Sequence, residues 1–161
     1  MLYTTKSIAP VSESFQTSGK KIVLATGFFD LLHSEHIAFL QKAKAVGDIL
    51  IVGVESDVRA RKVKGEGRPV ESQVDRCQKV VEYADYVIAL GDDFDNQQAY
   101  DKLVATVRPD IYAVSSHTSY LENKEKLVKK YGGKLIVVHE WNPAVSTTQI
   151  LKKLESNINN L

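Results

Sequence analysis

The sequence lacks several features that would place the protein in a common class. Its 161 residues contain one cysteine, Cys77, so no disulfide can form within the chain, and this favours a reducing compartment. Lys and Arg number 21 against 20 Asp and Glu, so a formal charge of +1 gives no general attraction to nucleic acid or anionic membranes. Apolar runs such as residues 49–54 are too short to cross a bilayer. We therefore expect a cytoplasmic protein without nucleic-acid or membrane partners.

The composition and length fit one globular domain. Hydrophobic residues make up 43% of the chain and charged residues 25%. Residues 1–20 show little periodicity and lack the basic start and apolar core of a signal peptide. We interpret them as an N-terminal arm or irregular lead-in, which leaves residues 21–161 as the folded domain.

Five short β-branched runs predict strands at 22–25, 49–54, 86–90, 111–114 and 135–138. The runs are continuous rather than alternating, which is typical of strands covered on both faces. Segments with helical spacing separate them, so the chain predicts right-handed crossovers and a mainly parallel sheet. Ligands of such α/β sheets bind outside the carboxyl ends of the strands, where the strand order reverses.

The segment after the first strand carries the strongest chemical signal. Residues 26–36 read Thr-Gly-Phe-Phe-Asp-Leu-Leu-His-Ser-Glu-His. His33 and His36 are three residues apart, so both face one side of a helix that begins near Ser34. Imidazoles at a helix N-terminus suit phosphate. Two alternatives stay open: a structural histidine pair with Ser34 as N-cap, and a metal site with Asp30, for which the sequence offers no further ligand nearby.

Two other segments suit a chain of phosphates. Lys64 ends a basic run and abuts a glycine-rich turn after the second strand, although such runs are usually solvated helix faces. Arg76 follows on a helix, where it could equally pair with carboxylates. Residues 146–149 match a capping box, and their hydroxyls at a helix start also suit polyphosphate. The first strand is followed by neither a P-loop nor a G-x-G-x-x-G motif, which disfavours those nucleotide sites.

Together these segments resemble the cytidylyltransferase-like nucleotidyltransferases. Residues 26–36, 64–70, Arg76 and 145–154 have the order and spacing of that family, and the similarity runs from about Lys20 to the C-terminal helix. The chain is most similar to bacterial heptose-1-phosphate adenylyltransferases and next to glycerol-3-phosphate cytidylyltransferases. The resemblance implies a Rossmann-like three-layer sandwich with a five-stranded sheet. It also implies transfer of a nucleotidyl group from ATP or CTP to a sugar- or polyol-phosphate, with release of pyrophosphate.

The resemblance further implies roles for individual residues. His33 and His36 would hold the triphosphate and stabilise charge at the α-phosphorus, Lys64 would contact the phosphates, and Arg76 would help to bind acceptor or nucleotide. Other residues would shape the nucleotide pocket or cradle the β- and γ-phosphates: Thr26, Gly27, Phe28 and Asp30 for the pocket, and Ser146, Thr147 and Thr148 for the phosphates. Mg²⁺ would accompany the NTP, held largely by substrate oxygens, so no metal ligands of the protein are expected. A homodimer is the assembly of many relatives.

The sequence departs from the family pattern at two places. Glu35 stands where the His-x-Gly-His motif has glycine, and a carboxylate there would crowd a triphosphate and repel it by about 1 to 4 kcal/mol at about 4 Å. A Glu in the first helical turn also suits the helix dipole. The Lys-Gly-Gly-Asp-type turn after the fourth strand is replaced: the residues here are Val114, Ser115, Ser116 and His117. Both changes favour an alternative, a catalytically degenerate member acting as a nucleotide-binding, phosphate-binding or regulatory module.

Overall fold

The computed structural model describes residues 1–160, in which six strands and seven helices follow one another. The strands are β1 (Leu2–Tyr3), β2 (Ile22–Gly27), β3 (Ile49–Val54), β4 (Tyr86–Ala89), β5 (Ile111–Ser115) and β6 (Lys134–His139). The helices are α1 (Ala9–Thr17), α2 (Ser34–Ala45), α3 (Asp57–Lys64), α4 (Gln73–Val80), α5 (Gln97–Val107), α6 (Leu121–Lys130) and α7 (Thr147–Asn159).

All six strands are parallel and lie in the order β1-β4-β3-β2-β5-β6. The five predicted strands are present as β2 to β6, which confirms the Rossmann-like α/β prediction. The expected count of five is corrected to six, because β1 adds to the edge of β4 with Leu2 opposite Val87. A strand of two residues carries too short an apolar pattern to be read from the sequence.

The first twenty residues are more ordered than an irregular lead-in. They form β1 and α1, and Pro10 occupies the first turn of the helix, where its missing N–H costs nothing. Ile8 is fully buried in the core, and the Gln16 side-chain amide donates a hydrogen bond to the Val107 carbonyl at 2.9 Å. This part of the chain therefore packs against α5, while a domain division at residue 20 stays a prediction.

Helices cover both faces of the sheet and create two apolar cores. Neighbouring residues of one strand, such as Val23 and Leu24, point to opposite faces and are both fully buried. Leu24 packs in the core that includes Leu103 of α5, whereas Val23 packs in the core that includes Leu40 of α2. Each such side chain contributes about 1.5–3 kcal/mol relative to exposure. The three-layer arrangement explains why the strands read as continuous apolar runs.

A bilayer-crossing helix would need more length and more apolar character than any helix within residues 1–160 has.

Candidate functional site

A cleft of about 660 Å³ opens at the carboxyl ends of β2, β3 and β5. The strand order reverses between β2 and β5, so the cleft lies at the edge where the sheet topology predicts a ligand. Eight residues singled out from the sequence line it: Thr26, Gly27, Phe28, His36, Lys64, Val114, Ser115 and His117. The fold thus brings half of the sixteen residues singled out from the sequence to this cleft.

The two histidines form a stacked pair beside this cleft. Helix α2 begins at Ser34, as predicted, but its N-cap is His33 and not Ser34. The rings of His33 and His36 lie 3.8 Å apart between centroids with planes 17° from parallel. The preceding loop is tight, with Phe29 at a positive φ of 53°. A Cβ on Gly27 would approach the Phe29 ring to 3.0 Å, so any other residue at position 27 would require the Phe29 ring to shift.

The stacked imidazoles have few protein partners. Both ring nitrogens of His33 and Nδ1 of His36 are buried without a hydrogen bond. Burial lowers the pKa of His33, and burial together with the neighbouring His33 lowers the pKa of His36 to about 3. Both rings are therefore neutral near pH 7. An unsatisfied buried polar group costs about 1–3 kcal/mol, so a ligand that accepts hydrogen bonds here would relieve that cost.

Trp141 packs against the histidine pair and was not foreseen from the sequence. Its ring centroid lies 5.7 Å from those of both His33 and His36, and the His117 ring stacks on it at 5.7 Å and 22°. The backbone N–H of Trp141 donates to the Ser116 hydroxyl at 2.8 Å. Trp141 belongs to no motif; the one available signal was a single tryptophan in the loop after the last strand.

Glu35 points toward that same loop. Its carboxylate accepts hydrogen bonds from the Asn142 N–H at 2.9 Å and from His139 Nε2 at 2.8 Å. These two partners, the N–H first, lower the pKa of Glu35. Lys42 donates to Nδ1 of His139 at 3.0 Å, so the ring hydrogen of a neutral His139 lies on Nε2, facing Glu35. Glu35 and Ser116 belong to the two departures from the family pattern. Both bind the 139–142 segment, which carries Trp141.

Asp30 joins three segments of the chain. Its buried carboxylate accepts hydrogen bonds from the N–H groups of Val70 and Glu71 and from Arg68 Nε, which lies 2.9 Å away. Burial acts to raise its pKa, but these hydrogen bonds outweigh it and the pKa is lowered. The carbonyl of Asp30 also accepts a hydrogen bond from the Thr147 hydroxyl at 2.7 Å. Asp30 thus faces the 68–71 loop rather than the histidines.

Arg76 lies inside the fold, and its expected role in substrate binding stays a prediction. The residue is fully buried, and its guanidinium donates to the carbonyl groups of Phe28 at 2.5 Å and Glu55 at 2.9 Å. It also donates to the Glu71 carbonyl at 3.1 Å and to the Asp57 carboxylate at 2.7 Å. These contacts tie the loops after β2 and β3 together, and they leave the cation facing protein instead of the cleft.

The start of α7 packs beside the loop that carries the histidines. Ser146 caps the helix, as the capping-box motif predicts, by accepting a hydrogen bond from the Gln149 N–H at 3.1 Å. The Thr147 hydroxyl is used by Asp30, and Thr148 is exposed. Ser146, Thr147 and Thr148 are not among the residues that line the cleft. A phosphate cradle formed by these hydroxyls stays a prediction.

Lys64, in contrast, lies where the sequence placed it. It ends α3, lines the cleft, and its ammonium group lies 5.6 Å from the centroid of the Phe28 ring. Partial burial, with a smaller contribution from Arg68, lowers its pKa. A lysine ammonium group that lines the cleft beside the histidines suits an anionic ligand.

A second polar group lies deeper in the cleft. Glu55, directly after β3, accepts a hydrogen bond from the Tyr100 hydroxyl, and its other oxygen lies 3.3 Å from Arg59 Nε. Lys124 lies 5.6 Å from the centroid of the buried Tyr112 ring. We call this group the carboxylate end (Glu55, Arg59, Tyr100, Lys124), and His33, His36 and Trp141 the histidine end. The carboxylate end was missed because its members come from three separate parts of the chain: Glu55 and Tyr100, for example, are 45 residues apart.

Within residues 1–160, no group of three or more His, Cys, Asp or Glu side chains is placed to hold a metal ion. The alternative of a metal site built on Asp30, His33 and His36 gains nothing from this geometry, because the Asp30 carboxylate is taken up by the 68–71 loop.

The parallel sheet, its switch-point cleft and the histidine pair at a helix start together define an α/β protein with a polar cleft at the ligand edge of its sheet. The chain belongs to the cytidylyltransferase-like family, whose pattern it matches over residues 24–153. This match confirms the family inferred from the motifs.

Similar proteins support that assignment. The chain is 38% identical over 157 residues to the bifunctional protein HldE of Wolinella succinogenes and 36% identical over 149 residues to that of Helicobacter pylori. The two matches include 94% and 91% of this chain. They span only about 30% of the length of each HldE protein.

Solved structures show the same architecture. A lipopolysaccharide core biosynthesis protein from Thermoplasma volcanium superposes with a TM-score of 0.62 at 30% identity, covering 77% of this chain and 98% of that one. A pantoate-beta-alanine ligase from Francisella tularensis superposes with a TM-score of 0.66 at 15% identity, and the match covers 100% of this chain and 78% of the ligase chain. At this identity the similarity supports the fold alone.

Proposed function

We propose that the chain is a nucleotidyltransferase that moves an NMP group from ATP or CTP to a sugar- or polyol-phosphate and releases pyrophosphate. The observation that carries this proposal is the stacked His33–His36 pair, with three buried ring nitrogens that lack hydrogen bonds beside the cleft. Family membership and the similarity to HldE support the same reaction. The resemblance to heptose-1-phosphate adenylyltransferases favours ATP and a sugar 1-phosphate.

The proposed chemistry needs few functional groups from the protein. A phosphate oxygen of the acceptor attacks the α-phosphorus, the bond from that phosphorus to the bridging oxygen breaks, and pyrophosphate leaves with the electron pair. The acceptor oxygen is already anionic, so no side chain has to remove a proton. His33 and His36 donate N–H groups to phosphate oxygens, and Lys64 neutralises charge, so positioning and electrostatics supply most of the rate.

Mg²⁺ accompanies the nucleotide in this proposal. It would supply charge neutralisation on the triphosphate while held mainly by substrate oxygens. The residues of the cleft fit that arrangement, because the carboxylates of Glu55 and Asp95 already pair with Arg59 and Lys62. A homodimeric assembly stays a prediction from the family resemblance.

A second candidate function is a binding or regulatory module without transferase activity. Trp141 favours it, because this side chain packs against both imidazoles and a triphosphate must displace it or lie beside it. Glu35 and Ser116 hold the Trp141 segment in place. The two candidates share the same binding site and differ in whether bound nucleotide reacts.

One tryptophan in the chain makes the test direct. Trp141 fluorescence is followed while ATP or CTP is added with Mg²⁺, and Trp141→Phe serves as the optical control. Pyrophosphate release is then measured with glucose 1-phosphate, mannose 1-phosphate, a heptose 1-phosphate and glycerol 3-phosphate. Acceptor-dependent release supports the enzyme. A saturable fluorescence change without release supports the module, and silence in both assays contradicts both.

A further inference from the structure

The carboxylate end of the cleft has a chemical character that phosphate binding does not explain. A triphosphate would be repelled by the buried Glu55 carboxylate, whose side chain is 6% exposed. We infer that the carboxylate end is a subsite for two adjacent hydroxyl groups of a sugar or polyol, with Glu55 as the hydrogen-bond acceptor and Lys124 as a donor.

Glu55 retains acceptor capacity toward the cleft. A carboxylate can accept about four hydrogen bonds, and Tyr100 supplies one of them. Arg59 Nε lies 3.3 Å from Oε2, but neither atom forms a hydrogen bond. Hydroxyl groups are the neutral donors that fit this oxygen, since they add hydrogen bonds without adding positive charge to a site already holding Arg59 and Lys124.

The surroundings of Glu55 complete the subsite. Lys124 lines the same cleft, and Thr26 lies there with its hydroxyl 2.9 Å from that of Tyr112. Burial raises the pKa of Glu55 and lowers that of Lys124, because both charged forms lose hydration there. The donors and acceptors of a diol would replace part of that lost hydration. Leu127 adds an apolar wall that suits the C–H face of a sugar ring.

Two sources offer adjacent hydroxyls: the ribose of the nucleotide and the acceptor. This assignment deepens the proposed function and takes from it the identity of these two ligands. The binding experiment below needs no turnover, so the diol subsite and the transferase reaction can fail separately.

The test measures binding by titration calorimetry for the wild type, Glu55→Gln, Tyr100→Phe and a matched control, Glu82→Gln, on the exposed turn before β4. The ligands are ATP, 2′-deoxy-ATP, glucose 1-phosphate, mannose 1-phosphate, glycerol 3-phosphate and, as a ligand without a diol, inorganic phosphate. We expect Glu55→Gln to weaken a diol-bearing ligand about tenfold or more, because a hydrogen bond to a charged group is lost. Tyr100→Phe should have a smaller effect, and phosphate binding and Glu82→Gln should be unaffected.

The pattern of losses identifies the source of the diol. A loss confined to the sugar and polyol phosphates assigns the acceptor. A loss for ATP, absent for 2′-deoxy-ATP, assigns the ribose. Unchanged binding of every ligand by Glu55→Gln, or no binding of any diol by the wild type, overturns the subsite. Melting temperatures confirm folding, and Tyr100→Phe provides a second, milder variant.

The same variants separate this subsite from the proposed reaction. Pyrophosphate release with wild-type kinetic constants in Glu55→Gln contradicts the subsite and leaves the transferase standing. Glu55-dependent sugar binding without pyrophosphate release by the wild type contradicts the transferase and leaves the subsite standing.

Discussion

The histidine end and the carboxylate end of the cleft lie at the same edge of the sheet but differ in charge and in hydrogen bonding. At the histidine end, neutral rings stack on one another and several ring nitrogens lack partners, so that end is polar but unsatisfied. At the carboxylate end, Arg59 and Lys124 oppose the charge of Glu55, and Tyr100 donates to one of its oxygens, so the charge is compensated although Glu55 Oε2 still lacks a hydrogen bond. The ring nitrogens of the histidine end would gain hydrogen bonds from an anion with several acceptor oxygens. The carboxylate end would instead select ligands by the positions of their hydroxyl groups.

The largest expected effect comes from removing the residue that ties the loops after β2 and β3 together. Arg76→Met leaves the carbonyl groups of Phe28 and Glu55 without their donor inside the fold, and it removes the ion pair with the partly exposed Asp57 carboxylate. We expect a loss of about 3–5 kcal/mol in the free energy of unfolding, measured by urea denaturation. Glu82→Gln is the reference, and a loss below about 1 kcal/mol would show that the clamp has little weight.

The second-largest effect is expected from a substitution that changes the histidine end alone. His36→Phe keeps a stacked ring but removes both nitrogens, so we expect transfer to fall about 10²- to 10³-fold, measured by pyrophosphate release. Stability should be unchanged or higher, because the buried Nδ1 without a partner is removed as well. Full activity in this variant would exclude His36 from the reaction.

Lowering the pH should decrease the free energy of unfolding through His36, which belongs to the histidine end. The pKa of His36 is about 3 in the folded protein and 6.5 as a free side chain. A depressed pKa gives stability that is complete above pH 6.5 and is lost as the pH falls toward 3. Chemical denaturation at pH 7, 6 and 5 should show a decline for the wild type that is smaller in His36→Phe. Parallel declines would mean that His36 is protonated without cost.

The smallest expected effect concerns the loop that covers the histidines. Glu35→Gly removes the acceptor of the Asn142 N–H and of His139, so Trp141 should be held less firmly. We expect a red-shifted Trp141 emission and nucleotide binding tightened severalfold. Glu35→Gln keeps an acceptor and should lie between the two. Identical titrations for all three proteins would remove Glu35 from any role in nucleotide binding.

The sequence was informative where the signal is local. The β-branched runs predicted β2 to β6, and the 26–36 segment predicted the start of α2, because contiguous residues carry the whole pattern. Four of the predicted site residues in that segment line the cleft, and their function stays a prediction. The environment of Arg76 could not be read from the sequence, because two of its partner carbonyl groups, those of Phe28 and Glu55, come from distant loops. Long-range partners of this kind leave no periodicity, so Trp141 and the carboxylate end also required the fold.

The short strand β1 has a consequence for how these molecules meet one another. Without it, β4 would offer four residues of unpaired amide and carbonyl groups along an outer edge. With it, the outer edge of the sheet is a strand of only two residues, and the helix α1 follows after a turn of five residues. Short borders are poor templates for a strand from another chain, so the N-terminal segment protects this side of the protein against self-association.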